Sequence, residues 1–311
     1  MVAIWLCPGQ GAQKVGMGKD LAERFPAARA TFDAIDAALG TPLSRLMFEG
    51  PEDALTQTEN AQPAILAHSA AVYAVVKERV KDAVGAAGHS LGEYSAYICA
   101  GSLSAPEAAK LVRRRGELMS KAAAERPGTM AAIMGLPTAD VEACCKTASS
   151  AGSLAVAANL NTSDQTVISG DPEAVAKAGE ACKAKGAKRV IPLNVSGAFH
   201  SPLMAPAADK LRLALNRAPF AEPAIPVIAN ATAEPVRDAD RARRLLTDQL
   251  TAPVRWVECM QAAAKLAGPE VRFIEIGPGQ VLAGLMRRIL PAGSVVSLGS
   301  ADEVGRFLDA G

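Results

Sequence analysis

Aromatic side chains are scarce in this chain: Phe, Trp and Tyr together make up 4% of 311 residues. Histidine is scarcer still, at three residues, so any histidine-dependent chemistry has few positions to occupy. Neither sign of charge dominates, with 33 Lys and Arg against 32 Asp and Glu. That balance removes the global basic field that nucleic acid or an anionic membrane would attract. No apolar run reaches the ~18 to 20 residues needed to span a bilayer. The opening MVAIWLCPGQGAQ lacks the basic start and long apolar stretch of a secretory leader. A cytoplasmic protein with no nucleic-acid or membrane partner is expected. The six cysteines form no CxxC pair and no metal-ligand spacing, so reduced, buried thiols are expected and no metal site.

What the chain has is apolar bulk: half of it is hydrophobic, enough for one large domain or two unequal ones. Residues 2–7 (VAIWLC) read as a buried strand running into Pro8 and Gly9, and 271–276 (VRFIEI) as another running into GPGQ. The run 63–76 reads as a buried helix, and the short run 83–88 leads into GHSLG. Strands alternating with helices imply a mostly parallel sheet covered on both faces. In the middle, MAAIMGL, TADVEACCKTASSA, SLAVAANL, QTVISG, PEAVAKAGEACKAKG and KRVIPLNV spell β-α-β-β-α-β, the split unit of ferredoxin-like folds. The expected architecture is therefore α/β: an α/β-hydrolase-like large domain over 1–124 and 198–311, with a ferredoxin-like small domain inserted at 125–197.

The sharpest chemical signal is Gly88-His89-Ser90-Leu91-Gly92, a GxSxG pentapeptide between an apolar run and a helix-compatible stretch. A nucleophile elbow needs small residues on both sides of its serine, because neighbouring side chains would collide in the strained turn. The turn also places Ser90 at a helix N-terminus, where the N–H of Leu91 can hold an oxyanion. The competing reading is a chance match in a loop. A serine hydroxyl needs a base, and histidine is the usual one. His89 adjoins Ser90 and should point away from its Oγ. His68 sits inside an alanine-rich helix, where a packed histidine is the simpler account. His200, in GAFHSPLM, would be read as structural if met alone; elimination makes it the preferred base.

On the helix AAKLVRRRGELMSKAA, Ala108, Leu111, Val112, Met119 and Ala122 form one apolar stripe at ~100° per residue, with Arg115 near its centre. Arg113 points roughly opposite. An inward arginine needs an anion, since it cannot shed its proton. The partner is either an internal carboxylate or a substrate carboxylate gripped by the planar guanidinium fork.

These residues resemble the malonyl-CoA:acyl carrier protein transacylases and the related acyltransferase domains of fatty acid and polyketide synthases. The resemblance spans nearly the whole chain. It rests on Pro8-Gly9-Gln10-Gly11 with Gln13, GHSLGEYSA, RRRGELM, GAFHSPLM, QLTAPVRW and EIGPGQVL, in family order. It implies Ser90 as nucleophile, His200 as base and Arg115 as the malonyl-carboxylate binder. It implies Gln10 and Leu91 as backbone donors of the oxyanion hole, and Gln249 as the residue whose carbonyl oxygen orients the histidine. Met119, Gln62 and Asn161 are expected near the substrate. Phe199, where acceptance of methyl-branched units usually goes with serine, implies malonyl over methylmalonyl. Cys7 and Ala12 depart from the family's more frequent residues beside the loop.

The implied reaction is a ping-pong transfer through a malonyl-serine ester. Its substrate is a coenzyme A thioester, its acceptor the phosphopantetheine arm of acyl carrier protein, and no bound cofactor is expected. The carrier is expected to be acidic, which makes the cluster Arg237, Arg241, Arg243 and Arg244 a candidate dock on an expected monomer. Two rivals stay open: a serine esterase, which needs no inward arginine, and a non-catalytic module that binds carrier protein or acyl-CoA.

Overall fold

The computed structural model describes residues 2–195 and 197–310. Among these residues the strands are β1 (Ala3–Cys7), β2 (Ala83–Gly88), β3 (Thr129–Met134), β4 (Ala155–Thr162), β5 (Gln165–Gly170), β6 (Arg189–Pro192), β7 (Val227–Ile228), β8 (Pro235–Val236), β9 (Arg272–Ile276) and β10 (Ser294–Leu298). They build two sheets, one in the order β10-β9-β1-β2-β7-β8 and the other β4-β5-β3-β6. The larger sheet is parallel from β10 to β7 and gains one antiparallel edge strand, β8.

The strand β1 shows why the larger sheet is buried on both faces. Successive side chains of a strand point to opposite faces. Accordingly Ala3, Trp5 and Cys7 enter one hydrophobic core and Ile4 and Leu6 the other. All five residues are buried, so the strand reads as a continuous apolar run rather than an alternating one. Helices supply both covers, with Thr58–Val76 and Ala105–Glu125 contributing to the first core and Trp256–Ala267 and Val281–Ile289 to the second.

The smaller sheet is antiparallel throughout. Its elements follow the β-α-β-β-α-β order read in the sequence, with helices Thr138–Ala148 and Pro172–Ala184. It has a core of its own, including Ile133, Val141, Ile168 and Val175 together with Cys144, Cys145 and Cys182. The cysteines are buried and unpaired. The strand β4 ties the two bodies together: Leu160 N–H donates to Val254 O at 2.9 Å and Val254 N–H to Ala158 O at 2.8 Å. Among the described residues no helix is long and apolar enough to cross a membrane.

Candidate active site

Parallel strands direct their C-terminal loops to one edge of a sheet, where ligand sites of open α/β folds gather. Here the loops after β1, β2 and β9 converge. A methyl group on Gly9 would lie 2.7 Å from His89 O, and one on Gly277 would lie 2.5 Å from Pro8 Cγ. The turn after β2 is tighter still. A Cβ on Gly88 would stand 1.9 Å from Gly92 O, and one on Gly92 would stand 2.2 Å from Cys7 O. Ser90 between them has φ 54°, a left-handed conformation that costs a non-glycine residue of order 1–3 kcal/mol and persists only where its surroundings hold it.

Those surroundings are polar and buried. Ser90 N–H donates to Asn230 Oδ1 at 2.7 Å, and Asn230 Nδ2 donates to Gly88 O at 2.8 Å. One side-chain amide thus clamps both ends of the turn. The N–H groups of Gln10 and Leu91 are matched to no protein acceptor among the described residues. Gln10 belongs to the loop after β1, and Leu91 is the residue from which helix Gly92–Cys99 starts.

His200 also has a positive φ, 55°. Its Nε2 lies 2.8 Å from Ser90 Oγ, and its Nδ1 lies 2.9 Å from the backbone O of Gln249. A carbonyl oxygen can only accept, so Nδ1 carries the proton and Nε2 offers its lone pair to the serine hydroxyl. Burial, then the charge of Arg115, push the imidazole pKa down to about 3. The ring is neutral near pH 7 and able to take a proton.

Arg115 is 1% exposed and faces inward from the apolar stripe of helix Ala105–Glu125, whose Leu111, Val112 and Met119 are buried beside it. Nη2 donates to Ser90 Oγ at 3.1 Å and to Gln249 Oε1 at 3.0 Å, and Nη1 donates to Gln62 Oε1 at 2.7 Å. All three acceptors are neutral. None of the ion pairs among the described residues involves Arg115, and its Nε has no partner. A buried cation without an internal carboxylate in contact is costly, and its fork opens onto a cavity of about 430 Å³ that Ser90, His200, Phe199 and Met119 also line.

Two residues expected beside the substrate sit elsewhere. Asn161 does not line the cavity; its Oδ1 lies 2.9 Å from Nε2 of His89, whose ring packs 5.3 Å from Trp256. Asn159, earlier on β4, lines the cavity instead. Gln62 is fully buried behind Arg115, with Nε2 3.4 Å from Met119 Sδ. The other correction concerns the surface. Arg241 pairs with Glu234, and Arg243 pairs with Asp240 at 2.6 Å while stacking 5.3 Å from Phe220, so half of the basic cluster is spent on its own neighbours.

Sequence reasoning missed two polar residues under the elbow, Asn230 and Glu93. Glu93 is fully buried; its Oε2 accepts from Asn230 N–H at 3.0 Å and from Gln249 Nε2 at 2.7 Å. Burial pushes its carboxyl up to about 7. The one signal in the sequence was an acid, Glu93, three residues after Ser90 in an otherwise uncharged stretch of the following helix, GEYSAYIC.

Residues 4–303 match the acyl transferase domain family. Over 285 residues the chain is 45% identical to the malonyl CoA-acyl carrier protein transacylase of Bacillus subtilis (strain 168), covering 92% of this chain and 89% of the relative. The chain belongs to the malonyl-CoA:acyl carrier protein transacylase family. Its transacylase relative in Escherichia coli (strain K12) is 43% identical over 284 residues, covering 91% of each. Among solved structures, the acyl-carrier-protein S-malonyltransferase of Bartonella henselae superposes with a TM-score of 0.94 at 43% identity, covering 100% of this chain and 99% of that one. A malonyl-transacylase solved in complex with its type II PKS acyl-carrier protein superposes equally well, TM-score 0.94 at 39% identity, with both chains fully covered.

Proposed function

We propose that the protein moves a malonyl group from malonyl-CoA to the phosphopantetheine thiol of acyl carrier protein, supplying extender units for fatty acid or polyketide synthesis. The observation that carries the reading is the position of Ser90 Oγ, 2.8 Å from a histidine nitrogen and 3.1 Å from an arginine that touches no carboxylate. A general hydrolase needs the first contact alone; a transferase of diacid half-thioesters needs both. The second contact also argues against the esterase reading.

In the forward half-reaction His200 Nε2 takes the proton of Ser90 as Oγ attacks the thioester carbonyl. The oxyanion rests on the N–H groups of Gln10 and Leu91. The tetrahedral intermediate collapses, the carbon–sulfur bond breaks, and His200 returns its proton to the departing coenzyme A thiolate. The malonyl carboxylate replaces Ser90 Oγ as the partner of Arg115. This pairing offsets the guanidinium charge, which after burial is the next influence holding the imidazole pKa down. The carrier's thiol then enters, and the same steps run in reverse. Phe199 lies on the cavity wall, and the family resemblance makes it the residue that favours malonyl over methylmalonyl. No step calls on a metal or bound cofactor.

We further read 1–124 with 198–311 as an α/β-hydrolase-like catalytic domain and 125–197 as a ferredoxin-like insert, in a cytoplasmic monomer. Intact-mass measurement of the protein and of Ser90→Ala, each mixed with malonyl-CoA, acetyl-CoA and methylmalonyl-CoA, tests the function. A malonyl adduct on the parent protein alone is expected. An unmodified parent protein would leave only the binding-module reading.

A further inference from the structure

Glu93 enters none of the steps above, yet it lies directly behind them. Its Oε2 receives two N–H donors, from the Asn230 backbone and the Gln249 side chain, while Oε1 has no partner. Gln249 is the pivot. Its backbone oxygen holds His200 Nδ1, its side-chain nitrogen donates to Glu93 Oε2 at 2.7 Å, to Ser90 O at 3.0 Å and to Asn230 Oδ1 at 3.3 Å, and its side-chain oxygen accepts from Arg115 Nη2.

An amide can be turned end for end at almost no steric cost, and which end faces Arg115 decides whether the contact binds or repels. Turned one way, the oxygen accepts from the guanidinium. Turned the other way, the NH₂ group meets a donor-only cation. Oε2 of Glu93 can only accept while it holds two N–H groups, so it admits only the first orientation. We propose that Glu93 is a positioning residue for acyl selection: its Oε2, the nearest of the three acceptors that face Gln249 Nε2, holds the amide so that Oε1 faces Arg115 and aims the guanidinium at the carboxylate of the acyl group. The inference rests on the transfer reading above.

The requirement is for an acceptor, not for a charge. Any proton that Glu93 carries must sit on the unpartnered Oε1, leaving Oε2 a carbonyl acceptor with both bonds intact. Glu93→Gln keeps that acceptor, its new NH₂ taking the place of Oε1. Glu93→Leu keeps the volume and removes the acceptor.

The test is the ratio of kcat/KM for malonyl-CoA to that for acetyl-CoA, which lacks the carboxylate that Arg115 would hold. Glu93→Leu is expected to lower this ratio at least tenfold. Glu93→Gln should stay within about twofold of the parent protein. In an Arg115→Ala background, Glu93→Leu should leave the ratio where Arg115→Ala alone puts it, since the residue acts through the arginine. Should Glu93→Leu fail to fold, Gln249→Leu deletes the same Arg115 acceptor while retaining the backbone carbonyl on His200, and the same tenfold fall is expected. Equal loss on both substrates would show a scaffold role only and overturn the inference. So would a Glu93→Gln ratio as low as that of Glu93→Leu. A parent protein that takes up no malonyl group at all would instead refute the transfer reading, and the inference with it.

Discussion

Replacing Arg115 by alanine removes a buried cation, three hydrogen bonds to neutral acceptors and the proposed grip on the substrate's carboxylate. Hydrogen bonds to charged groups contribute about 1.5–3 kcal/mol each, so a two-pronged carboxylate contact is set at about 3–4 kcal/mol. At about 1.4 kcal/mol per factor of ten, kcat/KM for malonyl-CoA should fall by about 10²–10³. Acetyl-CoA offers no carboxylate, and its loading loses only the bond from Nη2 to Ser90 Oγ. Against that loss, removing the charge relieves one of the influences that lower the His200 pKa, the largest after burial. Acetyl loading should therefore hold within a few-fold or rise. Stability should change modestly, because Gln62 Oε1 and Gln249 Oε1 lose a donor while the desolvation cost of a buried charge disappears. Release of coenzyme A, followed with a thiol reagent over a range of each substrate, gives both constants. An equal fall for malonyl and acetyl substrates would refute the reasoning, since it would mean that Arg115 serves the elbow and not the acyl group.

Gly92→Ala drives a Cβ to 2.2 Å from Cys7 O and 2.8 Å from Pro8 O, backbone atoms that cannot move without parting β1 from the elbow; a loss of more than about 3 kcal/mol, read as a fall in Tm or as insoluble protein, is expected. Phe199→Ser opens the cavity wall, and intact-mass competition between methylmalonyl-CoA and malonyl-CoA should show a larger methylmalonyl fraction than in the parent protein. Acid should destabilise the fold through His68, which is buried and whose pKa burial lowers from 6.5 to about 4. Its folded pKa lies below its unfolded one, so the contribution is complete above pH 6.5 and is lost as the pH falls towards 4, at about 1.4 kcal/mol per pH unit. Urea midpoints between pH 7.5 and 4.5 should fall more steeply in the parent protein than in His68→Gln, and parallel curves would contradict the assignment.

The frame of the protein was legible because it rests on local pattern. VAIWLC is apolar at every position, which only a strand buried on both faces requires, and GxSxG between a strand and a helix fixes where that sheet turns. Arg115 stood out because one cation interrupts a stripe of Ala, Leu, Val and Met. His200 could be reached by elimination only because the chain has three histidines. What stayed hidden is polar and non-local. Asn230 clamps Ser90 and Glu93 from sequence separations of 140 and 137 residues, and no periodicity marks a residue whose partners lie so far along the chain. The side chain of Gln249 was invisible for the same reason, although its backbone role followed from the family resemblance. Asn161 was misplaced because His89, which lines the cavity, takes its side-chain oxygen as a partner, and Asn161 itself does not reach the cavity wall. The strand β10 (SVVSL), half-buried at the sheet edge, carries too little apolar pattern to announce itself.

The central claim is that an acyl group rests on Ser90 and leaves it for a carrier thiol, not for water. Protein loaded with radiolabelled malonyl-CoA, freed of excess substrate and then mixed with holo acyl carrier protein, tests it most directly. The account predicts that label maps to the Ser90 peptide before mixing and to the carrier's phosphopantetheine afterwards, with little free malonate. Label on another residue, or its release as malonate at the same rate with and without carrier, would contradict it.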